Sequence, residues 1–383
     1  MKILHLIYTH GIAGAEKYLL DLLPGLKEYG IYGEVICVCP PIHKNKVQLY
    51  CNRLNEKGIA TQLIPASRTN ILNVAKKVNR YCIANNIKII HSHLFNSDAI
   101  AVAVKLFFNK KIQLLSTKHG YKESYFIKNA DSIGKIEYNL YYFITKFVIS
   151  KIDHNITISK AIADLYYTLK LTPQKMPFIH HGISVDKKII KEEGIKYRKF
   201  SPQIVIVGRL TKIKGHAYLF DAMPKIIEQF PNVQLLVMGE GIEHDALSIR
   251  AEKLGIQKNI SFMGFQDNPY AFIEQSDIIA LPSLYEPFGL VYIESFALKT
   301  PVVAFDVQAC NEIIVHNENG ILVPVKDSKR LASSIISLLH NPVERERLAD
   351  NGYQKYVSYY NTERMIKDTA VFYKKIQQEG MLY

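Results

Sequence analysis

Apolar residues along this chain fall into short continuous runs that alternate with stretches of helical spacing, and the alternation persists almost from end to end. Lys2 to Thr9 is a strand-like run, after which Tyr18, Leu19, Leu22, Leu23 and Leu26 recur on one helical face. The same signals repeat: a strand at Gly33 to Cys39, a helix near Val47 to Lys57, a short strand near Thr61 to Ile64, a helix from Asn70 to Asn85. Next come a strand ending in His91-Ser-His93, an apolar helix from Asp98 to Phe108, a strand from Gln113 ending in His119-Gly120, and a strand-to-helix junction at Ile156 to Leu165. A second series opens at Gln203-Ile-Val-Ile-Val and continues through runs at Asn232 to Gly239, Asn259 to Phe265, Asp277 to Pro282, Pro301 to Asp306 and Gly320 to Pro324, with helical spacing between them. Helical stretches from Ser328 to about Leu339, Val343 to Tyr360 and Thr362 to Gln378 close the chain. Apolar strands separated by helices predict α/β architecture with parallel, doubly wound sheets buried on both faces.

At 383 residues the chain is long enough for about two domains, each with its own core. The charged run Lys187 to Lys199 reads as the linker, which divides the chain at 1–196 and 197–361 and leaves 362–383 as a terminal helix. No stretch approaches the roughly 18 apolar residues that span a bilayer, and the opening run is too short for a secretory segment, so the expected location is cytoplasmic. Five cysteines without paired metal spacing (Cys37, Cys39, Cys51, Cys82 and Cys310) read as reduced and mostly structural. Charge is uneven: residues 1–200 hold 30 Lys+Arg against 14 Asp+Glu, and the remainder 18 against 21. A basic first half suits an anionic membrane surface or nucleic acid. Between Tyr121 and His154, Tyr125, Phe126, Tyr138, Tyr141, Tyr142, Phe143 and Phe147 interleave with Lys122, Lys128, Lys135, Lys146 and Lys151. That mixture fits a segment lying in a membrane interface, peripheral on its inner face; the plainer reading is a core-facing aromatic helix with solvated lysines. Nucleic acid is set aside because no nucleic-acid motif accompanies the aromatics.

The chemistry concentrates where strands give way to helices. Ser283-Leu-Tyr-Glu286-Pro-Phe288-Gly289-Leu290 leads from a buried strand into a helix that carries Glu294 two turns on. Open α/β sheets bind ligands beyond the carboxyl ends of their strands, where helix N-termini direct backbone N–H groups at anions. Two acids there suit hydroxyls rather than phosphates, which predicts a polyhydroxylated ligand that also carries phosphate. Gly208-Arg209-Leu-Thr-Lys212-Ile-Lys214-Gly215 supplies the phosphate side, a guanidinium fork and an ammonium at one loop, with Lys212 a spare cation. The first strand ends in His10-Gly11-Ile-Ala-Gly14-Ala15-Glu16, a glycine loop without the GxGxxG spacing of a dinucleotide site, readable as a tight turn or as a ligand-lining loop. His91 and His93 alternate on one strand face; without a third ligand in the sequence they read as structural rather than metal-binding.

The Glu286-x7-Glu294 spacing, the Gly208-Arg209-Leu…Lys214-Gly215 loop, Ala13-Gly14-Ala15-Glu16, His119-Gly120 and Ile156 to Leu165 together resemble the retaining glycosyltransferases of the GT-B fold, family 4. The resemblance implies two facing Rossmann-like domains with the last helix crossing back to the first. It implies a nucleotide-sugar donor, UDP-sugars first, and a glycan or glycolipid acceptor, membrane- or lipid-linked, as in surface polysaccharide or lipopolysaccharide synthesis. By resemblance, Gly14 and Ala15 line the cleft that faces donor and acceptor, His119 contacts the donor sugar as one of the catalytic residues with Glu286, Arg209 and Lys214, and the backbone at Gly264 and Phe265 meets the nucleobase. Arg209 and Lys214 neutralise the diphosphate beside Gly208, Glu286 orients sugar hydroxyls, Glu294 the ribose, and Phe288, Gly289 and Leu290 lend backbone donors.

Two departures limit the transfer. His181 stands where the family usually has Asn, and Ala309-Cys310-Asn311-Glu312 lacks the paired glycines found before that glutamate. No Asp-x-Asp triplet occurs, so no divalent-metal clamp is expected and no cofactor is called for. The alternatives are a non-hydrolysing sugar-nucleotide epimerase, which needs no acceptor, and a non-catalytic nucleotide-sugar-binding protein.

Overall fold

The computed structural model describes residues 1–122, 125, 135–185 and 202–380. The linker Lys187 to Lys199, the boundary at 196/197, Phe126 and Lys128 lie outside the described residues. Two units are distinguished: Met1–Tyr121 with Gly134–Ile183 and Asn361–Tyr383, and Ser184–Tyr360 with Lys122–Ile133.

In the first unit β1 (Lys2–Tyr8), α1 (Gly14–Leu26), β2 (Tyr32–Cys39), α2 (Lys44–Glu56), β3 (Thr61–Pro65), α3 (Ile71–Ala84), β4 (Ile89–His93), α4 (Phe95–Phe107), β5 (Gln113–Lys118), α5 (Leu140–Ser150), β6 (His154–Thr157) and α6 (Lys160–Thr168) follow in turn. The second runs β7 (Gln203–Val207), α7 (His216–Gln229), β8 (Gln234–Met238), α8 (His244–Lys253), β9 (Ile260–Gly264), α9 (Tyr270–Glu274), β10 (Ile278–Leu281), α10 (Leu290–Ala297), β11 (Val302–Phe305), α11 (Cys310–Ile313), β12 (Ile321–Val323), α12 (Ser328–His340) and α13 (Pro342–Lys355). The last helix, α14 (Thr362–Gly380), belongs to the first unit.

Among the described residues each unit holds one six-stranded sheet with parallel pairings, ordered β3-β2-β1-β4-β5-β6 and β12-β11-β10-β7-β8-β9. These are the same order read from opposite edges. In both, the crossover direction reverses between two adjoining central strands, β1 and β4 in one sheet, β7 and β10 in the other, and that switch opens a crevice at the strands' carboxyl ends.

Strand alternation sorts the first sheet's faces. Leu4, Leu6, Ile90 and Leu114 pack on one side against α3 and α4, while Ile3, Ile7, Ile89 and Leu115 pack on the other with Tyr18, Leu19 and Leu22 of α1. Met365, Ala370, Tyr373 and Ile376 of α14 complete that second core. The two helices pack closely, since a Cβ on Gly25 would lie 2.3 Å from Ile366 Cδ1.

Helix α5 departs from a simple core-facing element. It buries Tyr142, Thr145, Val148 and Ile149 and exposes Leu140, Phe143, Ile144 and Phe147, an apolar stripe at i, i+3, i+4, i+7. The plainer reading of the aromatics therefore holds for Tyr125 and Tyr142, which are buried, but not for Tyr138, Phe143 and Phe147, which are 68%, 55% and 51% exposed. Among the described residues no helix is long and apolar enough to cross a membrane.

Candidate active site

Three loops at the carboxyl edge of the second sheet are held together by contacts that only glycine permits. Gly215 sits at φ +70° between the Lys212–Lys214 turn and α7, and a Cβ there would come within 1.8 Å of the Pro282 carbonyl oxygen. A Cβ on Gly239, at φ +142°, would lie 2.0 Å from the Gly208 carbonyl oxygen. The amide of Leu284 donates to the Ile213 carbonyl at 2.7 Å, and Gly239 N–H to Gly264 O at 2.8 Å, so the ends of β7, β8, β9 and β10 form one connected rim.

On that rim Lys214 and Glu286, 72 residues apart, form an ion pair across the β7/β10 switch. The Ser283 hydroxyl donates to the same Glu286 oxygen at 3.0 Å. The Glu286 side chain is 11% exposed and the Lys214 side chain 21%, and the Lys214 stem passes over Gly208, 3.6 Å from where a Cβ would lie. Arg209 is exposed at the end of β7. Glu294 is buried on α10, where the Tyr270 hydroxyl donates to it at 3.4 Å. Gly289 starts α10 at φ +96°, and Phe288 beside it is buried with its ring 6.0 Å from that of Tyr360, which fixes the backbone through Leu290. Gly264 adopts φ +64°, and the Phe265 side chain following it is 62% exposed. In the altered segment, the Cys310 thiol donates to the Tyr292 hydroxyl at 2.8 Å, and burial pushes that thiol up to about 12.

The remaining predicted residues belong to the first unit. Gly14 is exposed at the start of α1 and Ala15 is buried; the Ala13 amide donates to Glu16 Oε2 at 2.9 Å, and burial raises the Glu16 carboxyl. His119 is partly buried just past β5. The reading of His91 and His93 as a pair needs correction, because parallel pairing sets His5 of β1 opposite His91 of β4. The potential ligand atoms of His5, His91 and His93 lie within 4.8 Å of one another. A histidine 86 residues upstream offers no local spacing signal; only the expected adjacency of β1 and β4 in a doubly wound sheet would have exposed it. On the opposite sheet face, equally unforeseen, Lys118 pairs with Asp98 at 2.7 Å, and Asp98 also accepts from Ser92 and Ser116 at 2.6 Å.

Residues 187–355 match the family described as Glycosyl transferases group 1, and residues 12–187 that described as Glycosyltransferase Family 4. The chain belongs to the group 1 glycosyltransferases. An uncharacterized glycosyltransferase of Methanocaldococcus jannaschii is 34% identical over 231 residues, 57% of this chain and 59% of the relative. The N-acetylgalactosamine-N,N'-diacetylbacillosaminyl-diphospho-undecaprenol 4-alpha-N-acetylgalactosaminyltransferase of Campylobacter jejuni is 25% identical over 88% of this chain and 89% of its own. The chain spans only about half the length of several curated relatives, 47% to 59% where identity exceeds 30%. Among solved structures, HepE of Anabaena in complex with UDP and glucose superposes with TM-score 0.79 at 18% identity, covering 98% of this chain and 100% of its own. That likeness is one of fold, and it makes this glycosyltransferase a GT-B protein.

Proposed function

We propose that this glycosyltransferase transfers a sugar, with retention of anomeric configuration and without a divalent metal, from a nucleotide sugar to a lipid-linked glycan acceptor at an anionic membrane face. UDP-sugars are the first candidates for the donor. The observation that carries the reading is the Lys214–Glu286 ion pair at the β7/β10 switch, with Arg209 at the end of the same β7 strand. A nucleoside diphosphate competes with Glu286 for the Lys214 ammonium. Its arrival releases a buried carboxylate, already oriented by Ser283, to accept from sugar hydroxyls. Lys214 and Arg209 then stabilise charge building on the departing phosphate, a charge larger in the transition state than in the bound donor, which is why such stabilisation accelerates the reaction. Glu294 takes the ribose hydroxyls, and His119, Gly14 and Ala15 are assigned to sugar recognition by the family resemblance. The acceptor attacks from the face the diphosphate leaves, so no protein nucleophile is required.

The lipid-linked acceptor and the membrane are supported by the apolar stripe of α5, by Lys146 and Lys151 beside it and by the basic first half of the chain. The Campylobacter relative is itself named for a diphospho-undecaprenol acceptor.

The test is slow hydrolysis of UDP-, GDP- and ADP-sugars without acceptor, with and without chelator, the released anomer read by proton NMR. Chelator-insensitive release of the donor's own anomer from one nucleotide class is the expected result. Inverted product removes retention, an epimerised donor favours the epimerase, and binding without turnover favours the silent binding protein.

A further inference from the structure

The buried histidines of the first unit form a directed chain. His5 Nδ1 and His93 Nε2 lie 3.1 Å apart, and His93 Nδ1 and His119 Nε2 another 3.1 Å apart. His5 and His93 are fully buried, and burial drives both rings well below the usual imidazole range, so each is neutral and carries one N–H. A neutral ring that accepts at one nitrogen donates from the other; one tautomer therefore dictates the next. The far end of the chain sets the direction. His5 Nε2 is buried with no hydrogen-bond partner, and it faces Gly33, where a Cβ would lie 3.4 Å away. The same position is 3.3 Å from His5 Cδ2, so the Gly33 Cα hydrogen that replaces the Cβ is directed at the Cδ2–Nε2 edge of the ring. A lone pair tolerates a C–H there as a weak hydrogen bond, whereas an N–H would be an orphaned donor against another hydrogen. His5 accordingly carries its proton on Nδ1.

The geometry points to His5 and His93 as positioning residues that hold His119 in its Nδ1–H tautomer, so that His119 presents an N–H donor to an acceptor oxygen of the donor substrate. His5 donates to His93, His93 donates to His119 Nε2, and the remaining His119 proton is on Nδ1. Among the described residues no hydrogen bond engages that nitrogen, and it is not enclosed. A metal shared by His5, His91 and His93 is the competing use of the cluster. It is disfavoured because both His91 nitrogens are already held, Nδ1 by the Tyr373 hydroxyl at 2.5 Å and Nε2 by the Thr117 hydroxyl at 2.7 Å.

The inference deepens the proposed function through the role given there to His119, but its primary test reads no activity. Long-range proton–nitrogen correlation spectra of deuterated protein labelled at histidine nitrogen report each tautomer, with assignments from single His→Asn variants. The expected result is Nδ1–H at His5, His93 and His119, with His119 reverting in His93→Leu to the Nε2–H form favoured in water. His93→Asn, whose amide nitrogen stands where Nδ1 stood, keeps the Nδ1–H form at His119. In donor hydrolysis, His93→Leu lowers kcat about tenfold at little-changed KM, and His93→Asn restores it to within about twofold. Nε2–H at His119 in the native protein overturns the inference, as does tight Co²⁺ binding that removes the His5 and His93 ring N–H signals. Absence of donor hydrolysis with the tautomers as expected removes the proposed function and leaves the chain standing.

Discussion

The two units place polar groups at the same point of the same strand order and solve the cost differently. In the first, the groups at the β1/β4 switch sit on the strands themselves: His5, His91 and His93 are fully enclosed and linked to one another and to hydroxyls. In the second, the groups at the β7/β10 switch sit on loops past the strand ends, where Lys214 and Glu286 keep a charged pair partly open to water. A charge inside a sheet costs far more than one beyond its edge, so the strand-borne histidines at the first switch are held neutral, with only His5 Nε2 lacking a partner, while the loop-borne ion pair at the second is placed to meet an anion. At the switch points, the first sheet positions hydrogens and the second handles charge.

Acid distinguishes the two most sharply. Burial holds His5 down to about 3 and His91 and His93 well below their ordinary range. In the unfolded chain these rings titrate near the usual value of about 6.5. Between those limits the unfolded state binds protons that the folded one refuses, so the stabilisation is complete above about 6.5 and is lost as pH falls toward 3, at up to about 1.4 kcal/mol per pH unit for each ring. His119, also held down to about 3, is left out of the count because it is only partly buried. Glu16, raised by burial, acts in the opposite sense, one carboxyl against three rings. In the second unit a single described histidine, His216, is comparably depressed, to about 4. Hydrogen exchange at pH 7.5 and 5.0, corrected for intrinsic rate, is expected to show β1 and β4 losing several kcal/mol of protection and β7 and β10 much less. Equal loss in both sheets breaks the comparison.

The charged site should fail in chemistry rather than in folding. Lys214→Ala and Arg209→Ala are each expected to lower kcat for donor hydrolysis by about a hundredfold, with midpoints of denaturant unfolding near those of the parent. Retained turnover in both variants removes the mechanism. Gly215→Ala probes the loop that carries Lys214. With φ at +70° and the Pro282 carbonyl 1.8 Å from the new Cβ, it is expected to cost about 2–3 kcal/mol in urea unfolding, and an unchanged midpoint disproves that close packing.

The repeated strand–helix alternation made both sheets legible, because buried parallel strands are apolar throughout and their helices are amphipathic. Gly215 and Gly289 were legible as loop glycines for the same reason that they are needed, a left-handed backbone path that other residues rarely follow. What stayed hidden depends on which strands adjoin. Glu286 was read as a group for sugar hydroxyls, yet without a ligand it is paired with Lys214, and nothing local links residues 72 apart. His5 and His91 face each other only because β1 pairs with β4 in that register. Some boundaries shifted for local reasons: α4 begins at Phe95 rather than Asp98 because Leu94 takes φ +70° and turns the chain into the helix early.

The smallest expected effect lies on α5, where the first unit carries apolar surface with no counterpart in the chemistry just described. Phe143 and Phe147 are exposed, and Lys151 stands 5.5 Å over the Phe147 ring, close enough for a cation–π contact. Exposed positions outside the core change folding stability by about 0.5 kcal/mol or less, so Phe143→Ser with Phe147→Ser should melt like the parent. An interfacial helix instead gains affinity from the apolar area it inserts and from lysines near anionic lipid, and the second contribution is screened by salt. Sedimentation with phosphatidylglycerol-containing vesicles is therefore expected to weaken about tenfold in the double variant at low salt, a loss of about 1.4 kcal/mol. The parent should weaken in the same direction when salt is raised, since the lysines then contribute less. Binding that is indifferent both to salt and to the two phenylalanines would leave α5 an ordinary surface helix and the basic charge of the first half without a membrane to meet.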